Sequence, residues 1–110
     1  MPGQTTDRPF NEELARLLSE RRLSQRKLAQ LVDLNPAHLS RVIRGADRAR
    51  PSIDLINRIT AALELPNGYF PEQREATVIE MIKRDPALRD QLYAQLQEET
   101  RLRGRRFESA

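Results

Sequence analysis

At 110 residues, 38% hydrophobic and 32% charged, with no Trp and four Gly, the chain can build one small core plus an appendage, and its composition favours helices over a sandwich or barrel. With no Cys and with His38 as its one histidine it has neither a disulfide framework nor a zinc-ligand set, so no cofactor or metal site is expected. No run approaches the roughly 18 to 20 apolar residues of a bilayer span and residues 1–10 lack a signal peptide's hydrophobic stretch, so the expected compartment is the cytoplasm, while a net charge of +3 does not by itself name a partner.

Residues 1–9 carry Pro2, Gly3 and Pro9 among polar neighbours and read as a flexible arm. The first helix is expected from about Asn11 to Arg22, with Leu14, Leu17 and Leu18 on one face and Glu12 and Glu13 near its positive end. Ser24 then reads as the cap of a second helix running to about Val32, with Leu23 stapling onto Leu28. The device repeats at Leu34-Asn35-Pro36: Asn35 caps, Pro36 takes the first helical position, and Leu34 staples onto Leu39 in a third helix that Gly45 stops. The short connection between the second and third helices forces them to meet at a steep angle. After a polar loop to Pro51, Ser52 caps a fourth helix with Ile53, Ile56, Ile59 and Leu63 as its buried stripe. The segment from Leu65 to Pro71 can form at most a short helical turn, and Tyr69 and Phe70 are expected to close the core. Two more helices follow, one through Val78, Ile79 and Ile82 and one capped at Asp85-Pro86 with Leu88, Leu92 and Leu96 four apart. The domain plan is an arm (1–9), a helical domain (10–71), a helical extension (72–103) and a disordered tail (104–110).

Charge is unevenly placed. From Arg21 to Arg50 there are eight basic residues against two acidic ones, whereas beyond Pro71 the count is eight of each. Arginine outnumbers lysine 17 to 2, which leaves open that some arginines reflect base composition alone. On a helical wheel the third helix turns Leu39, Val42 and Ile43 inward and Ala37, Arg41 and Arg44 outward, with His38 and Ser40 on the flanks. Small residues beside long donors suit an approach to base edges, where arginine meets guanine acceptors or phosphate.

The stretch Leu23 to Gly45 resembles the Cro and phage-repressor (XRE) helix-turn-helix family, through Leu23-Ser24-Gln25, Leu28-Ala29, the Leu34 turn, Leu39-Ser40-Arg41, Arg44-Gly45 and Pro51-Ser52. The likeness spans about Phe10 to Phe70. It implies a five-helix, all-α domain that binds double-stranded DNA, with Ala37, His38 and Arg41 at base-reading positions and Gln25, Arg26, Ser40, Arg44, Arg48 and Arg50 against the backbone. His38 serves equally as a phosphate-facing flank, and Arg48 and Arg50 equally as a solvated loop. Two departures stand out. Asp33 occupies a turn position where the family has a left-handed glycine, and Pro36 brings no hydrogen-bonding atom to a position that reads bases in some members. The small Ala29 lets the second and third helices approach.

Domains of this size usually bind as twofold dimers. The apolar positions from Val78 to Leu96 are too few for a core of their own, so they meet a second copy, dock on the first domain or hold a protein partner. Three functions fit: a regulator, in particular a repressor, on an inverted repeat; an antitoxin-type module that grips a partner and regulates its own operon; and a non-specific chromosome organiser. With one histidine and no phosphate-cradling loop, an enzyme is not expected.

Overall fold

Helix N-termini leave backbone N–H groups without partners, and at three places the chain supplies one locally. In the computed structural model, which describes residues 4–46 and 50–108 with side chains as far as Gly104, Ser24 Oγ accepts from Lys27 N–H at 3.0 Å, Asn35 Oδ1 from Ala37 N–H at 2.8 Å and Ser52 Oγ from Leu55 N–H at 3.1 Å. These caps open α2 (Gln25–Leu31), α3 (Pro36–Ile43) and α4 (Ile53–Ala62). The first helix, α1 (Phe10–Arg21), starts otherwise: Pro9 makes no side-chain cap, and Phe10 N–H donates to Glu72 Oε2 at 2.9 Å, 62 residues along the chain.

The helix ends share one geometry. Arg22, Asp33, Gly45 and Glu64 adopt φ of 55°, 53°, 72° and 57°. The next residue's N–H, from Leu23, Leu34, Ala46 and Leu65, then donates back to Leu18, Ala29, Arg41 and Thr60 carbonyls at 2.8 to 3.1 Å. This is the Schellman ending, and the three leucines that follow pack partly buried against the core. Gly45 is doubly required, since a Cβ there would meet Asn11 Nδ2 at 2.9 Å. At Arg22, Asp33 and Glu64 the left-handed backbone carries a Cβ and is strained. The left-handed turn expected at Asp33 is present. Glu64→Gly is accordingly expected to raise stability by about 0.5–1 kcal/mol, the relieved strain exceeding the entropy glycine adds to the unfolded chain; thermal melting checks this, and a lowered midpoint counts against it.

The first unit of the chain, residues 1–76, holds the core. Leu14, Leu17 and Leu18 of α1, Leu28 and Ala29 of α2, Leu39 and Val42 of α3 and Leu55, Ile56 and Ile59 of α4 are all buried. Phe70 closes it, its ring 4.7 Å from Phe10 and 5.0 Å from Tyr69 in edge-to-face contacts. Two expectations change. Ile53 is 40% exposed, because Ser52 caps the helix and leaves Ile53 on its first turn at the rim; Leu55 takes its place in the stripe. The chain from Leu63 to Phe70 makes turns and bends only, so Phe10 to Phe70 holds four helices where the resemblance implies five, and α5 (Pro71–Arg84) follows. Gln73 there is buried: its Oε1 accepts from Phe70 N–H at 3.1 Å, and its Nε2 donates to Asn57 Oδ1 at 2.8 Å and Thr60 Oγ1 at 3.1 Å.

Within the described part of the arm, residues 4–9, Thr6 is fastened where the sequence predicts flexibility. Thr6 N–H donates to the Tyr69 carbonyl at 2.9 Å, and Arg74 donates to the carbonyls of Thr6 at 2.9 Å and Gly68 at 2.8 Å. Beneath this strap lies a buried carboxylate. Glu13, 1% exposed, receives hydrogen bonds from Arg16 at 2.8 Å and from the Tyr69 hydroxyl. The Arg16 hydrogen bonds, with help from Tyr69, hold the Glu13 carboxyl below its ordinary value of 4.5 against the opposing effect of burial, while burial and then Glu13 itself push the Tyr69 hydroxyl up. A depressed carboxylate contributes stability that is present above pH 4.5 and is lost as pH falls through the folded-state value. Glu13→Gln is expected to flatten that acid limb and to cost about 1–3 kcal/mol at neutral pH; denaturant titrations of both proteins from pH 3 to 7 test it, and parallel curves sink it.

The second unit, residues 77–110, contains the rest of α5 and α6 (Pro86–Glu108). Asp85 joins the two helices and caps the second, its Oδ1 accepting from Leu88 N–H at 3.1 Å. The helix continues through Glu108 where the sequence predicts a disordered tail from 104; the long straight-chain residues flanking Gly104 and an Arg101–Glu98 pair at 2.8 Å outweigh that one weak helix former.

Candidate nucleic-acid interface

The turn between α2 and α3 is four residues long, Val32 to Asn35, and the left-handed Asp33 reverses the chain within it. Leu34 and Ile43 settle partly buried, and Leu39 and Val42 seat α3 in the core. That leaves Ala37, Arg41 and Arg44 exposed on its outer side, with His38 and Ser40 half-buried beside them. Gln25, Arg26 and Lys27 are exposed at the start of α2, and Arg50 is exposed before α4. Arg48 lies outside the described residues.

The arginines divide by what holds them. Arg16 binds Glu13, Arg21 donates to the Leu63 carbonyl, Arg58 donates to the Val32 carbonyl at 2.9 Å, and Arg74 ties Thr6, Gly68 and Tyr69. Arg16 thus compensates the buried Glu13, and the other three complete helix ends and the strap. By contrast, among the described residues, the side chains of Arg22, Arg26, Lys27, Arg41, Arg44 and Arg50 take part in no ion pair or hydrogen bond. All six fall between positions 22 and 50, around α2 and α3; Arg8, Lys83 and Arg103 are likewise unpaired among the described residues and lie outside that segment. Sequence reasoning gave no contact to Arg22 and Lys27, although both lie in the basic segment it counted. It also missed Glu72, whose hold on Phe10 fixes the head of α1 beside Gly45 and the end of α3; a glutamate that acts 62 residues away leaves no local signal.

Chemically, exposed guanidinium groups beside the small Ala37 give the outer side of α3 positive charge with little bulk, an arrangement that suits close approach of a polyanion. Among the described residues there is no cluster of His, Asp or Glu able to hold a metal ion, and no helix is long and apolar enough to cross a membrane. A helix-turn-helix family model matches residues 13–69, from α1 to the aromatic pair, which is more than half of the chain. Comparison with curated proteins and with solved structures gives no match. The chain therefore belongs to the helix-turn-helix family of Cro and the phage repressors, the XRE family of DNA-binding transcription regulators.

Proposed function

We propose that this chain is a sequence-specific regulator in the cytoplasm that represses transcription by binding an inverted repeat of double-stranded DNA as a dimer. The observation that carries this reading is the outer side of α3 and its surroundings, where every described basic side chain from 22 to 50 is exposed and unpaired. Ala37, His38 and Arg41 read base edges, and Gln25, Arg26, Ser40, Arg44, Arg48 and Arg50 hold the sugar-phosphate backbone. Residues 10–71 form the DNA-binding domain and residues 72–103 the dimerising extension.

Selection of bound sites from a random duplex library at physiological salt tests it. An enriched inverted repeat with half-sites about one helical turn apart is expected. Binding without any enriched motif overturns sequence reading in favour of non-specific packaging. On the selected site, Arg41→Ala is expected to cost about 1–3 kcal/mol and to relax one base position, whereas Gln25→Ala weakens all sequences alike. Uniform loss from both removes the base-reading role of Arg41.

A further inference from the structure

No described side chain of residues 77–104 is buried, yet Val78, Ile79, Met81, Tyr93, Leu96 and Leu102 stand 43–64% exposed. A long helix draws most of its stability from packing an apolar face, so α6 needs a surface to cover it. The first unit does not offer one: among its described residues, Leu31 and Ile53 are its exposed large hydrophobics, and its core is otherwise closed. DNA does not fit either, because residues 77–104 carry five acidic and five basic side chains.

The order of charges along α6 names the occupant. At 3.6 residues per turn, Leu88, Arg89, Gln95, Leu96, Glu99 and Arg103 fall within about 60° of Leu92, with the capping Asp85 at the head of the same stripe. Read along the helix, the stripe runs acid, leucine, base, leucine, glutamine, leucine, acid, base. Laid antiparallel on itself in a register centred on Ala94, it sets Leu92 against Leu96, Arg89 against Glu99 and Asp85 against Arg103, so both ends pair with opposite charge. Laid parallel, it sets each charge against its own kind. Arg89 is now engaged with the neighbouring Asp90, an exposed pair at 2.9 Å that offers little resistance to exchange.

We propose that α6 pairs antiparallel with α6 of a second copy of this chain, through a Leu92–Leu96 centre flanked by Arg89–Glu99 and Asp85–Arg103 ion pairs. The pairing deepens the regulator reading by supplying its twofold axis, and it rests on that reading only for its use on DNA.

Sedimentation equilibrium of the full chain without DNA tests the pairing. The wild type is expected to dimerise. Arg89→Glu and Glu99→Arg, each placing two like-charged pairs in the twofold dimer, are expected to weaken self-association about tenfold, and the double variant to restore it. All these positions are exposed, and circular dichroism confirms that the variants keep their helix. A monomer at tens of micromolar overturns the proposal and leaves the surface to a different protein. A dimer indifferent to both reversals, or one that the double variant does not restore, overturns the register. A monomer that still selects a half-site separates failure here from failure of the DNA-reading function, and a restorable dimer that selects no site does the reverse.

Discussion

Phe70→Ala is expected to remove a large share of the first unit's stability. The ring is fully buried and stands edge-to-face against both Phe10 and Tyr69. Truncating a buried phenylalanine costs about 3–5 kcal/mol through lost transfer energy and the cavity left behind. For a unit of this size the total stability is about 4–11 kcal/mol, so one side chain accounts for a large share of it. Phe70 also opens α5 and donates its N–H to Gln73, and Phe10 is held by Glu72, so collapse at this point releases both ends of the unit together. The aromatic closure therefore matters to DNA binding although neither ring is near α3's outer side. Denaturant unfolding followed by circular dichroism measures it; a variant melting within a few degrees of the parent contradicts the argument. The same reasoning applies to the matched family segment: residues 13–69 lack Phe10, Phe70 and Glu72, and that fragment alone is expected to be unstable.

What could be read from the sequence was whatever acts over a few residues. Ser24, Asn35 and Ser52 cap the helices they precede, and Asp33 turns left-handed between two helices, because each event is decided by atoms within three residues. The aromatic closure was legible too, since two large rings between turn residues have nowhere else to go. Long-range contacts were not. Glu13 looked like an ordinary acid in the first turn of a helix, and its burial depends on Tyr69, 56 residues away. Thr6 looked free, and its fastening depends on Arg74, 68 residues away. Ile53 was misplaced for a subtler reason: it fits the apolar period, but the first turn after a cap projects beyond the core that the period describes. For the DNA-facing residues, the sequence supplied the type and the wheel position, and the structure added which arginines are already occupied.

That partition leads to the second large expectation, a steep and dissectible salt dependence. If Arg26, Arg44 and Arg50 of each copy, with Arg48, neutralise phosphates, a dimer displaces about six to eight counterions. Affinity is then expected to fall about 10³- to 10⁴-fold between 50 and 200 mM salt. Arg26→Ala or Arg44→Ala lowers the slope of log affinity against log salt by about one per copy. Arg58→Ala and Arg74→Ala remove the same formal charge but leave the slope unchanged, because their guanidinium groups are spent on the carbonyls of Val32, Thr6, Gly68 and Tyr69. Binding titrations at four salt concentrations distinguish the two groups. If all four variants shift the slope equally, net charge alone drives binding and the arrangement of free cations around α3 loses its meaning. If only the unpaired arginines do, position rather than number of charges determines how this chain holds DNA.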